Sequence, residues 1–221
     1  NISIDASKLN WLDISTTGVI DASTVVTLTG AASIINHALS SEGISNLGNE
    51  SITISDTSIN ASLLNTLDEK TTGIVNASTV ATLTGDYSDL NTTYTSSGLS
   101  GLGNEPVTVN SGTASVAQVN TLAGATTGTV TATVTEGDAA TLKTIAEAGN
   151  ALSVTVTDAS VTANDLTAID AVTTGNLTVT STSISGTASE VTSAYAANTA
   201  GTVTGLETKA ITIEDEVNQT E

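Results

Sequence analysis

Cysteine, phenylalanine, methionine and arginine are absent from the 221 residues, and proline occurs once. Without cysteine there is neither a disulfide framework nor a thiolate metal site. Aromatic residues make up only 2% of the chain, so its core has to be built from Val, Ile, Leu and Ala. Such small, mostly β-branched side chains suit a thin interior repeated many times better than one thick centre. Positive charge is nearly missing as well. Lys8, Lys70, Lys143 and Lys209 stand against 23 acidic residues, a net charge of −19. Affinity for a polyphosphate comes from Lys and Arg displacing counterions, which argues against nucleic acid as a partner and disfavours an anionic membrane surface. No window approaches the roughly 20 apolar residues of a transmembrane helix, so direct membrane insertion is not expected. The chain opens at once on the strand-like ISIDAS, with no initiating Met or signal peptide. We therefore expect an excised or processed segment of a longer protein.

What is present is repetition. TTGVIDASTVVTLTG from Thr16 is answered by TTGIVNASTVATLTG from Thr71, and GISNLGNESITIS from Gly43 by GLSGLGNEPVTVN from Gly98. Both pairs lie 55 positions apart; a third TTG begins at Thr126, again 55 on, and a fourth at Thr173. Within each long repeat lies a unit of about 20 to 30 residues, the length of one supersecondary element. The cleanest copy runs from Leu152 to Gly175. Leu152, Val154 and Val156 alternate with Ser153, Thr155 and Thr157, the pattern of a half-buried strand. A turn at Asp158 to Ser160 and an inward Val161 lead to Leu166, Ile169 and Val172 on one helical face, with Gly175 as a left-handed stop. The plan recurs through Ile52 and Ile54 with Leu63, Leu64 and Leu67, through Val107 and Val109 with Val116, Val119 and Leu122, and through Leu177 and Val179 with Val191 and Tyr195.

These spacings predict an α/β fold: an elongated β/α solenoid with a parallel sheet and one short strand plus one short helix or loop per turn. A single array over 1–221 would divide into turns near 1–18, 19–50, 51–73, 74–105, 106–128, 129–150, 151–175, 176–201 and 202–221. The segments Asn36 to Ser41 and Asn91 to Ser96 fit helix and loop equally. Neither end resembles a polar cap, since Ile2 and Ile4 open the first turn and Ile211 and Ile213 close the last. The expected partners are accordingly flanking repeats or copies stacked end to end.

TTGxxxASTVxTLTG followed by GLGNE and a Thr-rich strand resembles the repeat arrays of very large acidic cell-surface proteins of marine cyanobacteria, and cyanophage fibre-like proteins are similar. The resemblance spans most of the chain; from about Thr129 onward only the general strand and helix plan matches. It implies secretion, a surface location and use as a structural or adhesive scaffold or filament, and it carries no catalytic residues.

Catalytic chemistry finds little to work with. His37 is the only histidine, so any triad would have to form around it, and it reads as a polar loop or helix residue. Asp86 with Asp89, Glu136 with Asp138 and Asp165 with Asp170 are carboxylate pairs of the kind glycosidases use, yet acids are scattered evenly and no Arg is present to orient an anionic sugar. The chain is expected not to be an enzyme. Calcium is the cofactor to consider, with Asp86, Asp89, Glu136, Asp138, Glu214, Asp215 and Glu216 as oxygen ligands. The GGxGxD and EF-hand signatures are lacking, and solvated charge is the other reading. A second candidate surface is a row of outward threonines: Thr53, Thr131, Thr133, Thr155, Thr157, Thr178 and Thr180. Stacked in register, they would form a flat face of hydroxyls and methyls for a lattice or ligand, ice or glycan, although Thr suits solvent-side strand positions without any ligand. Stacking on a sugar is limited to Trp11, Tyr87, Tyr94 and Tyr195, which are far apart in sequence. NAS at Asn60 and Asn76 permits glycosylation.

Overall fold

The computed structural model describes residues 2–214 and shows alternating strands and helices with parallel sheets, an α/β chain. It divides into two compact units, the first comprising 1–110 with 125–128 and the second 111–124 with everything from Thr129.

In the first unit the elements are β1 (Ile2–Asp5), α1 (Ala6–Ser15), β2 (Ile20–Asp21), β3 (Val25–Gly30), α2 (Ala32–Ser40), β4 (Ile44–Ser45), β5 (Ser51–Ile54), β6 (Ser58–Asn60), α3 (Ala61–Lys70), β7 (Val75–Asn76), β8 (Thr82–Gly85), α4 (Tyr87–Thr95), β9 (Leu99–Ser100) and the start of β10 (Val107–Ala114). The second holds most of α5 (Val116–Ala125), then β11 (Val130–Val134), α6 (Ala139–Leu142), β12 (Ala151–Val156), β13 (Ser160–Thr162), α7 (Ala163–Ala171), β14 (Leu177–Val179), β15 (Ser183–Gly186), α8 (Ala188–Ala200), β16 (Val203–Thr204) and β17 (Ala210–Ile213).

The strands form several separate parallel sheets where one was expected. In the first unit β1, β3, β5, β7 and β9 are neighbours in that order, β2 pairs with β4, and β6, β8 and β10 follow one another. In the second, β11, β12, β14 and β16 form one run and β13, β15 and β17 another. Partners sit roughly one repeat unit apart: Thr27 lies opposite Ser3 and Ser51, Leu83 opposite Ile59 and Val107, Val161 opposite Ile184. Most helices also have a short strand on each side, where one strand per helix was expected: β1 and β2 flank α1, and β13 and β14 flank α7. The two segments that fitted helix or loop equally fall mostly within α2 and α4.

The core follows from the two expected periodicities. Strand β12 buries Leu152, Val154 and Val156 and exposes Ser153 and Thr155. Helices bury every third residue: Ala61, Leu64 and Leu67 in α3, Val116, Val119 and Leu122 in α5, Ala163, Leu166 and Ile169 in α7. The first of each triplet sits one or two positions past the cap, where only a small side chain or Val is found. Val172, expected inward, is half-buried at the end of α7.

The TTG motif has a role that its glycine alone did not reveal. Gly175 does not adopt a left-handed conformation; that is the conformation of Gly201, which ends α8 at φ 86°. A Cβ on Gly175 would instead collide with the backbone of Leu152 in the neighbouring turn, and Gly73 and Gly128 meet the backbone of Glu50 and Glu105 in the same way. The first Thr of the motif completes the junction. Thr71 Oγ1 donates to Glu50 O and accepts from Gly73 N at 3.0 Å; Thr126 does the same with Glu105 and Gly128, and Thr173 with Leu152 and Gly175. These three TTG motifs thus press one repeat's backbone against the next, and the hydroxyl satisfies the carbonyl this buries; at Gly18 the added Cβ would meet only Thr16 Oγ1 at 3.5 Å.

A paired substitution checks this account. Gly175→Ala should destabilise the second unit by about 1–3 kcal/mol through backbone overpacking. Gly124→Ala, in helix α5 with nothing within 4 Å of the new methyl, should stabilise it by about 0.5–1 kcal/mol. Urea unfolding of the two variants distinguishes these signs.

Candidate functional site

No element brings the candidate acids together. Asp86 is the N-cap of α4, its Oδ1 accepting from Asp89 N at 2.9 Å and Ser88 Oγ at 2.8 Å, while Asp89 lies in the first turn of that helix. Asp138 caps α6 through Thr141 N at 2.8 Å. Glu136 reaches across to α5, accepting from Val116 N at 3.0 Å and from Thr135 Oγ1 at 2.8 Å. Glu214 is exposed just after β17, and Asp215 and Glu216 lie outside the described residues. Among the described residues, no group of three or more His, Asp or Glu is positioned to hold a metal ion. Asp165 pairs with Lys143 at 2.6 Å, and Asp170 Oδ2 accepts from Thr202 Oγ1 at 3.1 Å.

The acids therefore hold backbone N–H groups at helix starts, both within a turn and between turns. Asp56 accepts from Ala32 N at 2.7 Å and Asp158 from Ala139 N at 2.6 Å, each carboxylate completing the helix of the preceding turn. Hydrogen bonds of this kind favour the ionised form. The Ser7 hydroxyl and N–H hold Asp5 below the usual carboxylate range; Asn46 and Ser23 do so for Asp21, the Asp89 N–H and Ser88 for Asp86, and Thr141 for Asp138.

The threonine face is present but interrupted. Thr131, Thr133, Thr155, Thr157, Thr178 and Thr180 are exposed and Thr53 is half-buried. Thr155, Thr178 and Thr204 form a row of three; Thr133 faces Ser153, Thr131 faces Ala151, and Thr53 stands between Thr29 and Asn76. Several hydroxyls are already engaged between turns, Thr180 Oγ1 with Val156 O at 2.8 Å and Thr204 Oγ1 with Leu177 O at 3.4 Å. His37 is exposed in the last turn of α2.

Two features escaped the reading of the sequence. The Glu of GLGNE is buried in both copies, 1% exposed at Glu50 and 2% at Glu105. Each folds back on its own loop: Glu50 Oε2 accepts from Gly48 N at 2.7 Å, and Glu105 Oε2 from Gly103 N at 2.9 Å. Glu105 Oε1 also takes the Tyr94 hydroxyl, and burial with this carboxylate beside it pushes the Tyr94 phenol above its ordinary range. Position 39, the counterpart of Tyr94, is Leu, and Glu50 Oε1 is buried without a partner. The second feature is a ladder at Asn10, Asn65 and Asn120, whose Nδ2 groups donate to Ile34 O, Asp89 O and Thr144 O at 2.9, 3.0 and 2.9 Å. Thr93 Oγ1 satisfies Asn65 Oδ1 at 2.8 Å, but its counterpart is Ala38, and Asn10 Oδ1 is left unpaired. The signal for both was recurrence at 55 residues of polar side chains that surface chemistry does not require.

Comparison with protein-family models, curated proteins and solved structures finds no match for this chain.

The capping carboxylates set a pH dependence. A carboxyl held below its unfolded pKa contributes stability above that value and loses it as pH falls. In about 0.5 M NaCl, where repulsion among the acids is screened within a few ångströms, the urea midpoint should fall steadily below about pH 5. A midpoint that rises on acidification in that salt would contradict the capping role.

Proposed function

We propose that each unit is a stack of β/α solenoid turns, and that the chain serves as a structural repeat module of an extracellular or cell-surface scaffold, adhesin or filament, without enzymatic activity. The observation that supports this reading is the use made of its polar side chains. Motif threonines, the asparagine ladder and the capping acids are bonded to neighbouring turns instead of converging on a cleft. Residues used in this way build a spacer whose product is geometry. A charge of −19 suits a saline exterior, where mutual repulsion is screened while wrong lateral contacts are still opposed.

Ile2, Ile211 and Ile213 are exposed on strands β1 and β17, and flanking turns or further copies are the partners proposed for them. Calcium held by surface carboxylates is the cofactor proposed, and the chelator arm below tests it. A lattice- or ligand-binding role for the threonine face rests on the exposure of the Thr155, Thr178 and Thr204 row.

Electron microscopy of the purified protein in seawater-like salt, with and without a chelator, tests the assembling scaffold. Regular fibres or sheets are expected, and their dissolution by chelator would assign calcium to the contacts between copies. Isolated particles under every condition would overturn self-assembly. Thr155→Tyr should leave any fibres intact, whereas loss of ice shaping in that variant would support the threonine face.

A further inference from the structure

The groove between α1 and α2 in the first unit is lined by Ser7, Asn10, Trp11, Ile14, Ile34 and His37 and encloses about 370 Å³. Trp11 is 63% exposed and Ile14 79%. An indole and two isoleucines facing water run against the pattern of this chain, which has one Trp in all.

The repeats supply their own control. At 55 residues on, Trp11 becomes Thr66, Ile14 becomes Glu69, Ile34 becomes Asp89 and His37 becomes Thr92; a further 55 on, the first three are Thr121, Gly124 and Thr144. These positions are half-exposed or exposed in every copy. Turns on either side therefore leave them open, and the groove is not a contact between turns awaiting a neighbour. Nor does the fold need an apolar surface there, since the second copy builds the same helix pair, α3 with α4, and the same asparagine bridge with Thr66, Glu69, Asp89 and Thr92 at these positions.

The lining also limits what the groove takes. Three apolar side chains are far fewer than the roughly 20–30 residues a side of a stable protein interface, so a second copy is too large an occupant for so small a patch. An anionic ligand is repelled by a chain of charge −19. A wholly apolar ligand would desolvate the His37 imidazole without pairing it. His37 has no hydrogen-bond partner among the described residues, and a neutral imidazole offers one donor and one acceptor. Asn10 is not free to serve a ligand, its Oδ1 being buried and its Nδ2 donating to Ile34 O at 2.9 Å. What matches this combination is a small molecule with one C–H face, to lie on the electron-rich face of the indole, and one hydroxylated edge.

We infer that the Trp11 groove binds a neutral sugar, its C–H face on Trp11 between Ile14 and Ile34, its hydroxyls toward His37 and the lone pairs of Ser7 Oγ. This site is separate from the threonine face and does not depend on the scaffold reading.

Trp11 is the sole tryptophan, so its emission reports on the groove directly. Titration with glucose, galactose, N-acetylglucosamine and cellobiose is expected to give a saturable shift and protection from acrylamide quenching with at least one of them. Ile14→Glu with Ile34→Asp, the residues of the second copy, should abolish the response while the thermal unfolding midpoint and any fibres are retained. His37→Ala should weaken the response several-fold. No saturable change with any of the four sugars would overturn the inference. So would a shift that follows protein concentration alone, which would place a second copy in the groove, or one produced only by phosphatidylcholine vesicles.

Discussion

Parallel pairing between strands about 24 residues apart is the constraint on which the other features depend. A parallel strand cannot return by a tight hairpin; it needs a crossover, and here the crossover holds one helix, in most cases with a second short strand beside it. Once Thr27 is set opposite Ser3 and Ser51, the helix between successive strands of the first unit is held to 9 or 10 residues with one face to bury. The buried triplets at spacing three follow, as do the small residues at the helix starts. Short helices of this kind have little stability alone, so their packing on neighbouring turns and their capping are what keep them formed.

That constraint also explains where the polar residues go. Each helix start leaves unpaired N–H groups, and the TTG motifs at Thr71, Thr126 and Thr173 each press on a backbone carbonyl. Capping acids answer the first, the Asp56 bond to Ala32 N and the Asp158 bond to Ala139 N being made from the following turn. The motif threonine answers the second. Both are local, so a turn can be copied wherever its neighbour carries the matching residue. Where the match has drifted, the cost is visible: Ala38 and Leu39 stand in place of Thr93 and Tyr94, and Asn10 Oδ1 and Glu50 Oε1 lie buried without partners. The first copy has exchanged polar satisfaction for apolar surface in α2, the same helix whose Ile34 and His37 line the Trp11 groove.

Strand and helix alternation was legible because period two and period three are written into Leu152 to Val156 and into Ala163, Leu166 and Ile169. The number of sheets was not, since two-residue strands such as β2 and β7 carry no periodicity to read. Gly175 was read through its backbone freedom, when the relevant fact was an approach by Leu152 that only three dimensions reveal. Acids such as Asp86 and Asp138 looked like solvated charge or metal ligands because a cap and a surface acid have the same composition and differ only in the N–H they face. Trp11 looked isolated because the far wall of its groove, Ile34 and His37, comes from the next helix, more than 20 residues away.

The register is tested most directly by NMR on the isotopically labelled protein. Cross-strand backbone NOEs of parallel type should link Thr155 with Thr178 and Thr178 with Thr204, and in the first unit Thr29 with Thr53. Antiparallel NOE patterns, or contacts confined to residues fewer than about ten apart, would contradict the parallel turn-to-turn pairing on which this account rests.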